Sequence, residues 1–397
     1  MVKDDVVASP PDGSVWRAPG FLPLLTATLL GFAGFAMLLP SGPMRALEIG
    51  AGAEGAGLVN AVLMLFTVLA QLVVAPATRR FGWARCFAAG LLFLGLPSLA
   101  MPLLAELNWL LAMSALRGLG FGLLTVGGAT AVSLLVPPSA RGRAVGAYGL
   151  SIALPQFLLT PLAPVAMETA GFTAVALAGA LPVAALPWVS RIARHVGSVE
   201  DGPDDDGEKP GWAALLHRIW PSLVALLLVT TGGGAVLTFA AEMVDAPAVA
   251  ALALAAFTGV AALGRWLIGG AADRWGPRRF IAPVLLLGAA GFAVFGLAAS
   301  PGPVWLLLAA AGASGFAYGS LQNLTLVYAF AGGGERSRPR TSVVWNIGFD
   351  AGTGLGALAI GQLSEALTFP TAFLAMGAVI AGAAVVLGLA LRFGRRA

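Results

Sequence analysis

Apolar residues run along this chain in long blocks, without the period-two alternation of a half-buried strand. A helix crossing a bilayer needs roughly 17–25 predominantly apolar residues. Blocks of that length lie at about 21–39, 56–75, 86–105, 109–135, 144–166 and 171–190, and again at about 219–241, 247–271, 280–299, 303–330, 341–364 and 369–391. Each predicts a helix, because within lipid a single segment can satisfy its backbone polar groups only by helical bonds. The pattern therefore predicts an all-α membrane protein with twelve transmembrane helices in two sets of six.

The two sets carry the same landmarks. Residues 269–279 read GGAADRWGPRR and residues 75–85 read APATRRFGWAR, each between two apolar blocks. Arg80 matches Arg274, Gly82 matches Gly276 and Arg85 matches Arg279, at an offset of 194. Further on, Gly120-Phe121 matches Gly315-Phe316 at 195, and Arg141 and Arg143 match Arg338 and Arg340 at 197. Landmarks in one order at nearly one spacing indicate a duplicated half. The expected organisation is a tail at 1–20, a bundle at 21–195, a linker at 196–217, a second bundle at 218–392 and a tail at 393–397. The stretch SVEDGPDDDGEKPG from Ser198 to Gly211 is acidic and rich in Gly and Pro, a composition that buries no core and predicts a solvated tether.

Composition removes the soluble classes. The chain is 58% hydrophobic and only 11% charged, against about 25% charged in soluble domains. Its basic residues form no stripe or patch for nucleic acid. A single cysteine, Cys86, and two histidines, His195 and His217, leave no disulfide framework and no metal or redox cluster. No GxxxxGK[ST] loop is present for ATP, so no cofactor or metal is expected.

Charge sets the orientation. If both termini lie on one side, twenty of the 23 basic residues fall there, leaving Arg45 in an opposite loop and Arg117 and Arg265 within spans. Basic residues concentrate in cytoplasmic loops. The expectation is a multi-pass protein of the inner (plasma) membrane with both termini cytoplasmic.

Three strings of residues resemble one family. Gly269-x-x-x-Asp273-Arg274-x-Gly276-x-Arg278-Arg279 resembles the signature loop of the major facilitator superfamily. Arg117-Gly118-Leu119-Gly120-Phe121-Gly122 resembles the fourth-helix motif of its proton-driven exporters. Phe349-Asp350-Ala351-Gly352-x-Gly354-x-Gly356 resembles the eleventh helix of a bacterial efflux branch that includes sugar-efflux-like permeases and opine metallophore exporters. The resemblance covers nearly the whole chain. It implies two pseudo-symmetric six-helix bundles that rock about a central cavity, with Asp273, Arg274, Arg279 and Arg265 forming a cytoplasmic gate and Arg117 taking part in proton coupling. The chain departs from the pattern at Arg79 and Ala75 in the first signature loop. Its fifth span lacks the Gly-Pro-x-x-Gly-Gly string of drug antiporters, and its first span has no carboxylate.

The residues themselves point to a coupling site. Asp350 lies about nine residues into its predicted span, roughly 13–14 Å deep. A carboxylate at that depth costs several kcal/mol unless it pairs or takes up a proton. Asn346, one turn earlier, is its expected hydrogen-bond donor. Arg117 cannot deprotonate and needs an acceptor, whether a carboxylate, helix carbonyls or an anionic group of the cargo. Candidate cavity contacts are Thr26, Thr125, Gln156, Thr230, Thr231, Tyr318, Gln322, Asn323, Trp345 and Asn346. The glycines of the fourth and eleventh spans are expected to permit close helix packing.

These readings make the chain a transporter rather than an enzyme. Its expected partners are a small-molecule substrate, protons and membrane lipids, with no nucleic acid, and it is expected to function as a monomer. Proton-coupled export of a small amphiphilic metabolite or drug leads. Proton-coupled uptake of a small nutrient is the alternative, since sequence does not separate the two. A membrane enzyme or lipid-handling protein would need spaced catalytic carboxylates or a histidine cluster, and the sequence has neither.

Overall fold

A computed structural model describes residues 15–136, 140–196, 211–299, 302–334 and 337–393. Residues 1–14, 197–210 and 394–397 of the expected tails and linker lie outside the described residues. The helices are α1 (Phe21–Glu48), α2 (Gly52–Phe81), α3 (Trp83–Ala100), α4 (Leu107–Leu135), α5 (Arg141–Gly179), α6 (Leu181–Ala184), α7 (Leu186–Val196), α8 (Trp212–Phe239), α9 (Pro247–Trp275), α10 (Arg278–Ala298), α11 (Val304–Gly333), α12 (Arg338–Ala366) and α13 (Phe369–Phe393). No strand occurs among the described residues.

Among the described residues, eleven stretches are long and apolar enough to cross a membrane, one fewer than the twelve expected spans. One of them, Arg143–Val196, is 54 residues long. As a single helix it would reach roughly 80 Å, more than twice the bilayer core of about 30 Å. Gly171 interrupts it with φ 76° and ψ 169°, a conformation open to glycine. The chain turns back there, since His195 lies against Gly20 at the beginning of α1. The stretch therefore makes two crossings, and the spans number twelve. The other differences are at helix ends: α1 continues through Pro40 and Pro43 to Glu48, and α8 begins at Trp212, inside the expected linker.

Two bundles result, α1–α7 and α8–α13, and their turns repeat. Gly82 ends α2 at φ 82°, ψ 152°, and Gly276 ends α9 at φ 81°, ψ 144°. The repeat is shifted in the fourth and tenth spans. Gly118 packs on the Leu63 carbonyl and Gly122 on that of Thr67, while Gly315 packs on Phe257 and Gly319 on Ala261. These equivalent contacts place Gly118 with Gly315 and Gly122 with Gly319, an offset of 197. The pairing of Gly120 with Gly315 at 195 is therefore incorrect. Gly120 instead packs on Gly90 and Leu94 of α3.

One face of α12 presents Asp350, Gly354, Ala357, Gly361 and Glu365, spaced three or four residues apart, to α2. A β-carbon on Gly57 of α2 would meet the Ala357 carbonyl, one on Gly354 would meet Met64, and one on Gly361 would meet the Ala53 carbonyl. At the end far from the termini, Glu365 Oε1 accepts the Ala53 N–H at 2.7 Å and the Glu54 N–H at 3.5 Å, serving two free donors of the first turn of α2. Nearby, Asn60 donates to Thr238 Oγ1 of the second bundle at 2.9 Å. On its other side α12 is fitted to α8, where Gly352 and Gly356 face Thr230 and Thr231. Lipid supplies no hydrophobic drive between helices, so such close contacts and polar bonds hold the bundles together.

Candidate functional site

The α2–α12 seam ends at mid-depth in a polar pair. Asp350 lies twelve residues after Arg338, the first residue of α12, and Gln71 lies ten before Phe81, the last of α2. At 1.5 Å per residue both are roughly 15–18 Å from the end that bears the termini. Gln71 Nε2 donates to Asp350 Oδ2 at 2.6 Å. Asp350 is 5% exposed and Gln71 4%. Gln71 Oε1 is buried with no partner among the described residues. That free acceptor suits the pair to both charge states: an ionised carboxylate accepts from the amide N–H, and a protonated one has an O–H to donate to Oε1. Asn346 does not serve Asp350 as expected. Its amide donates to the Ser342 carbonyl at 2.9 Å, the backbone one turn back being the nearer acceptor.

The repeat places Arg265 at the position corresponding to Gln71, 194 residues later. The position corresponding to Asp350, 197 residues earlier on α5, holds Ala153. The α5–α9 contact between the halves thus has a cation where its counterpart has an amide, and no carboxylate to meet it. Arg265 turns instead into its own half, where Nη2 donates to Gln322 Oε1 of α11 and its carbonyl accepts from Asn323 Nδ2 at 2.9 Å. Gln322 Nε2 is buried without a partner among the described residues. Tyr318 lies one turn before Gln322 on α11. Its ring lies 5.2 Å from that of Phe257 and 6.0 Å from that of Phe349. Phe349 in turn stacks on Trp345, whose indole N–H donates to Thr325 Oγ1 at 3.1 Å.

Arg117 is 1% exposed, and its Nε and Nη2 have no hydrogen-bond partner among the described residues. It lies one turn from Phe121, which stacks on Phe35 of α1 at 4.0 Å, so its side chain is on the face that meets α1. It is closer to the far end than Asp350 is, and the structure does not bring the two together.

The expected gate is not assembled. Asp273 and Arg274 are exposed at the end of α9, and Asp273 makes no ion pair or hydrogen bond among the described residues. The Arg274 guanidinium lies 5.0 Å from the ring centre of Trp275. Arg279 borders a groove with Arg278 and Arg392, and Arg265 is engaged two turns away. An exposed carboxylate gains little from fixed pairing in water, so nothing holds these side chains together in this conformation.

Several cavity candidates serve their own helices. Thr26, Thr125, Thr230 and Thr231 donate to the carbonyls of Leu22, Gly122, Leu226 and Leu227. Half-buried Gln156 has no partner among the described residues.

This arrangement can be set beside known proteins. The family profile described as Major Facilitator Superfamily matches residues 24–246 and again residues 223–397. The chain belongs to that superfamily. It is a multi-pass secondary transporter, not an enzyme, and it shares its fold with solved transporters at low identity. A bacterial homologue of the human lysosomal transporter Spinster, inward-facing and unoccupied, is 16% identical with a TM-score of 0.79, over 94% of this chain and 96% of that one. A POT family transporter in complex with 5-aminolevulinic acid is 13% identical with a TM-score of 0.78, over 97% and 98%. The nucleoside transporter NupG, in a mutant form, is 13% identical with a TM-score of 0.71, over 94% and 99%. The residues missed in this transporter's sequence were Gln71, Asn60 and Glu365. Gln71 had one signal, an amide inside an otherwise apolar block.

Proposed function

We propose that this transporter exports a small amphiphilic metabolite or drug in exchange for protons, by alternating access between its two halves. The observation that carries the reading is Asp350: a buried mid-depth carboxyl whose partner, Gln71, belongs to the opposite half. Loading or releasing a proton there changes a bond between the halves, and a ligand biases a two-state element only by stabilising its states unequally. Arg117 and Arg265 are the other deep charges. With two guanidiniums and one carboxyl reserved for the proton, the cavity favours a neutral or anionic amphiphile over a cation, its acceptor groups meeting Arg117, Arg265, Gln322 and Gln156.

In this reading the halves are the bundles 21–195 and 218–392, tethered by the linker 196–217, with both termini in the cytoplasm of a cell bounded by this inner membrane. The contacts between α2 and α12 run from mid-depth to the far end, and Asp273 at the terminal end has no partner among the described residues. Both features support an inward-open state, with the Asp273, Arg274 and Arg279 gate closing in the other state.

Everted membrane vesicles with an acid interior test the proposal. Adding a cargo from a panel of neutral and anionic amphiphiles is expected to dissipate the proton gradient as cargo accumulates inside. Accumulation driven only by sodium, or cargo movement only in the uptake direction, contradicts it.

A further inference from the structure

A second site lies away from the cavity, on the lipid-facing side of the second half. The beginning of α10 and the end of α13 border a cavity of about 520 Å³ at the terminal end of the molecule. Arg278 and Arg279, in the first turn of α10, and Arg392, in the last turn of α13, form its rim. One to two turns deeper, Leu389, Leu286 and Val385 form its walls and are 49%, 41% and 54% exposed. No acidic residue borders the cavity among the described residues. The α10–α13 contact is tight beside it, since a β-carbon on Gly388 would come within 3.2 Å of the Ala282 methyl.

Arg278 is only partly satisfied by the protein. Its Nη2 donates to the Leu391 carbonyl at 3.3 Å and its guanidinium lies 5.9 Å from the ring centre of Tyr328. Its Nε is buried and has no acceptor among the described residues. Arg279 and Arg392 are exposed. Three arginines therefore border one groove with no acidic side chain among its described lining residues, beside exposed apolar side chains. Arg binds phosphate through paired N–H donors.

We propose that this groove binds one anionic phospholipid of the leaflet on the terminal side. The phosphate meets Arg278, Arg279 and Arg392, and an acyl chain lies along Leu286, Val385 and Leu389. A free phosphate would use the rim and leave the apolar wall without a role, whereas a phospholipid uses both at the depths where they occur. Basic pockets between membrane helices suit anionic headgroups, at a gain of about fivefold in affinity per arginine. The inference rests on the fold and the groove alone, and is independent of the cargo.

The test is native mass spectrometry of the full chain released from nanodiscs of phosphatidylcholine containing phosphatidylglycerol. The parent is expected to retain one phosphatidylglycerol. The double substitution Arg279→Gln/Arg392→Gln, which spares the packed Arg278, is expected to weaken retention roughly thirty-fold. Leu389→Trp keeps every charge, fills the groove and is expected to weaken retention as well. Both variants should elute as the parent does in size-exclusion chromatography, and phosphatidylglycerol should raise the parent's thermal stability where inorganic phosphate does not. Equal retention of phosphatidylcholine, unchanged retention in both folded variants, or full substitution by inorganic phosphate overturns the proposal.

Discussion

Gln71 and Asp350 are joined by a 2.6 Å hydrogen bond that crosses from one half of the transporter to the other. It lies at the inner limit of a seam whose far end is held by Glu365 on the first turn of α2. Between these two bonds the seam is made of glycines packed closely on the facing helix, Gly57 and Gly361 against carbonyls and Gly354 against Met64.

Gln71→Leu is expected to shift the balance of the two transporter states by about 1–3 kcal/mol, the cost of leaving a buried polar group without its partner. A double-mutant cycle with Asp350→Asn, read from the distance between spin labels on the terminal ends of α2 and α12, checks this. Non-additivity beyond about 0.5 kcal/mol is expected, and additivity within about 0.3–0.5 kcal/mol would mean that the two residues act independently.

Glu365→Ala is expected to loosen the far end of the seam. It removes a carboxylate from a helix N-terminus, worth about 0.3–1 kcal/mol when exposed, together with its bond to the Ala53 N–H. The measurement is alkylation of Ser364→Cys by an impermeant reagent added from the far side, in a Cys86→Ser background. Labelling should quicken about two- to fivefold, and an unchanged rate would remove Glu365 from the closure.

Much of this was legible in the sequence, for a physical reason. An apolar block of bilayer length has only the helix available to it, so the twelve spans, the repeat and the glycine contacts could be read directly. The sixth span was legible too, as a separate apolar block that begins at Gly171, where the helix breaks. The site was less so. Gln71 carries no charge to mark it, and its partner lies 279 residues away. Asn346 was a reasonable donor by helix periodicity and lost to the nearer Ser342 carbonyl. The dipeptide match of Gly120-Phe121 with Gly315-Phe316 misplaced the register by two residues, which only the carbonyls of Leu63 and Phe257 correct. The expected gate residues are apart in this conformation, and a sequence does not say which state is populated.

Asp273→Asn is expected to leave the present state intact, because Asp273 has no partner among the described residues. The effect should fall on the opposite state, lowering its population by about 0.3–1 kcal/mol, as for a charge at an exposed helix end. Spin-label distances across the terminal ends of α2 and α9, with and without a saturating cargo, would show it. An unchanged distribution in both conditions would mean that this loop does not gate.

Ala153→Asp offers Arg265 the cross-half carboxylate that its repeat counterpart Gln71 already has. The new pair should hold α5 against α9 by about 1–3 kcal/mol, slowing turnover roughly tenfold, with Arg265→Gln restoring the rate. Slowing that persists in the double variant would show a packing defect instead of an ion pair.

The central claim is that Asp350 carries the proton that drives transport. Asp350→Asn fixes the neutral, hydrogen-bonding form, so the substituted protein should bind cargo and exchange it across the membrane. The decisive measurement is cargo accumulation in proteoliposomes under an imposed pH gradient, beside cargo exchange with no gradient. The account predicts parent-like exchange and no accumulation above equilibrium. Accumulation equal to the parent's would place the coupling site elsewhere and leave Asp350 a structural residue of the seam.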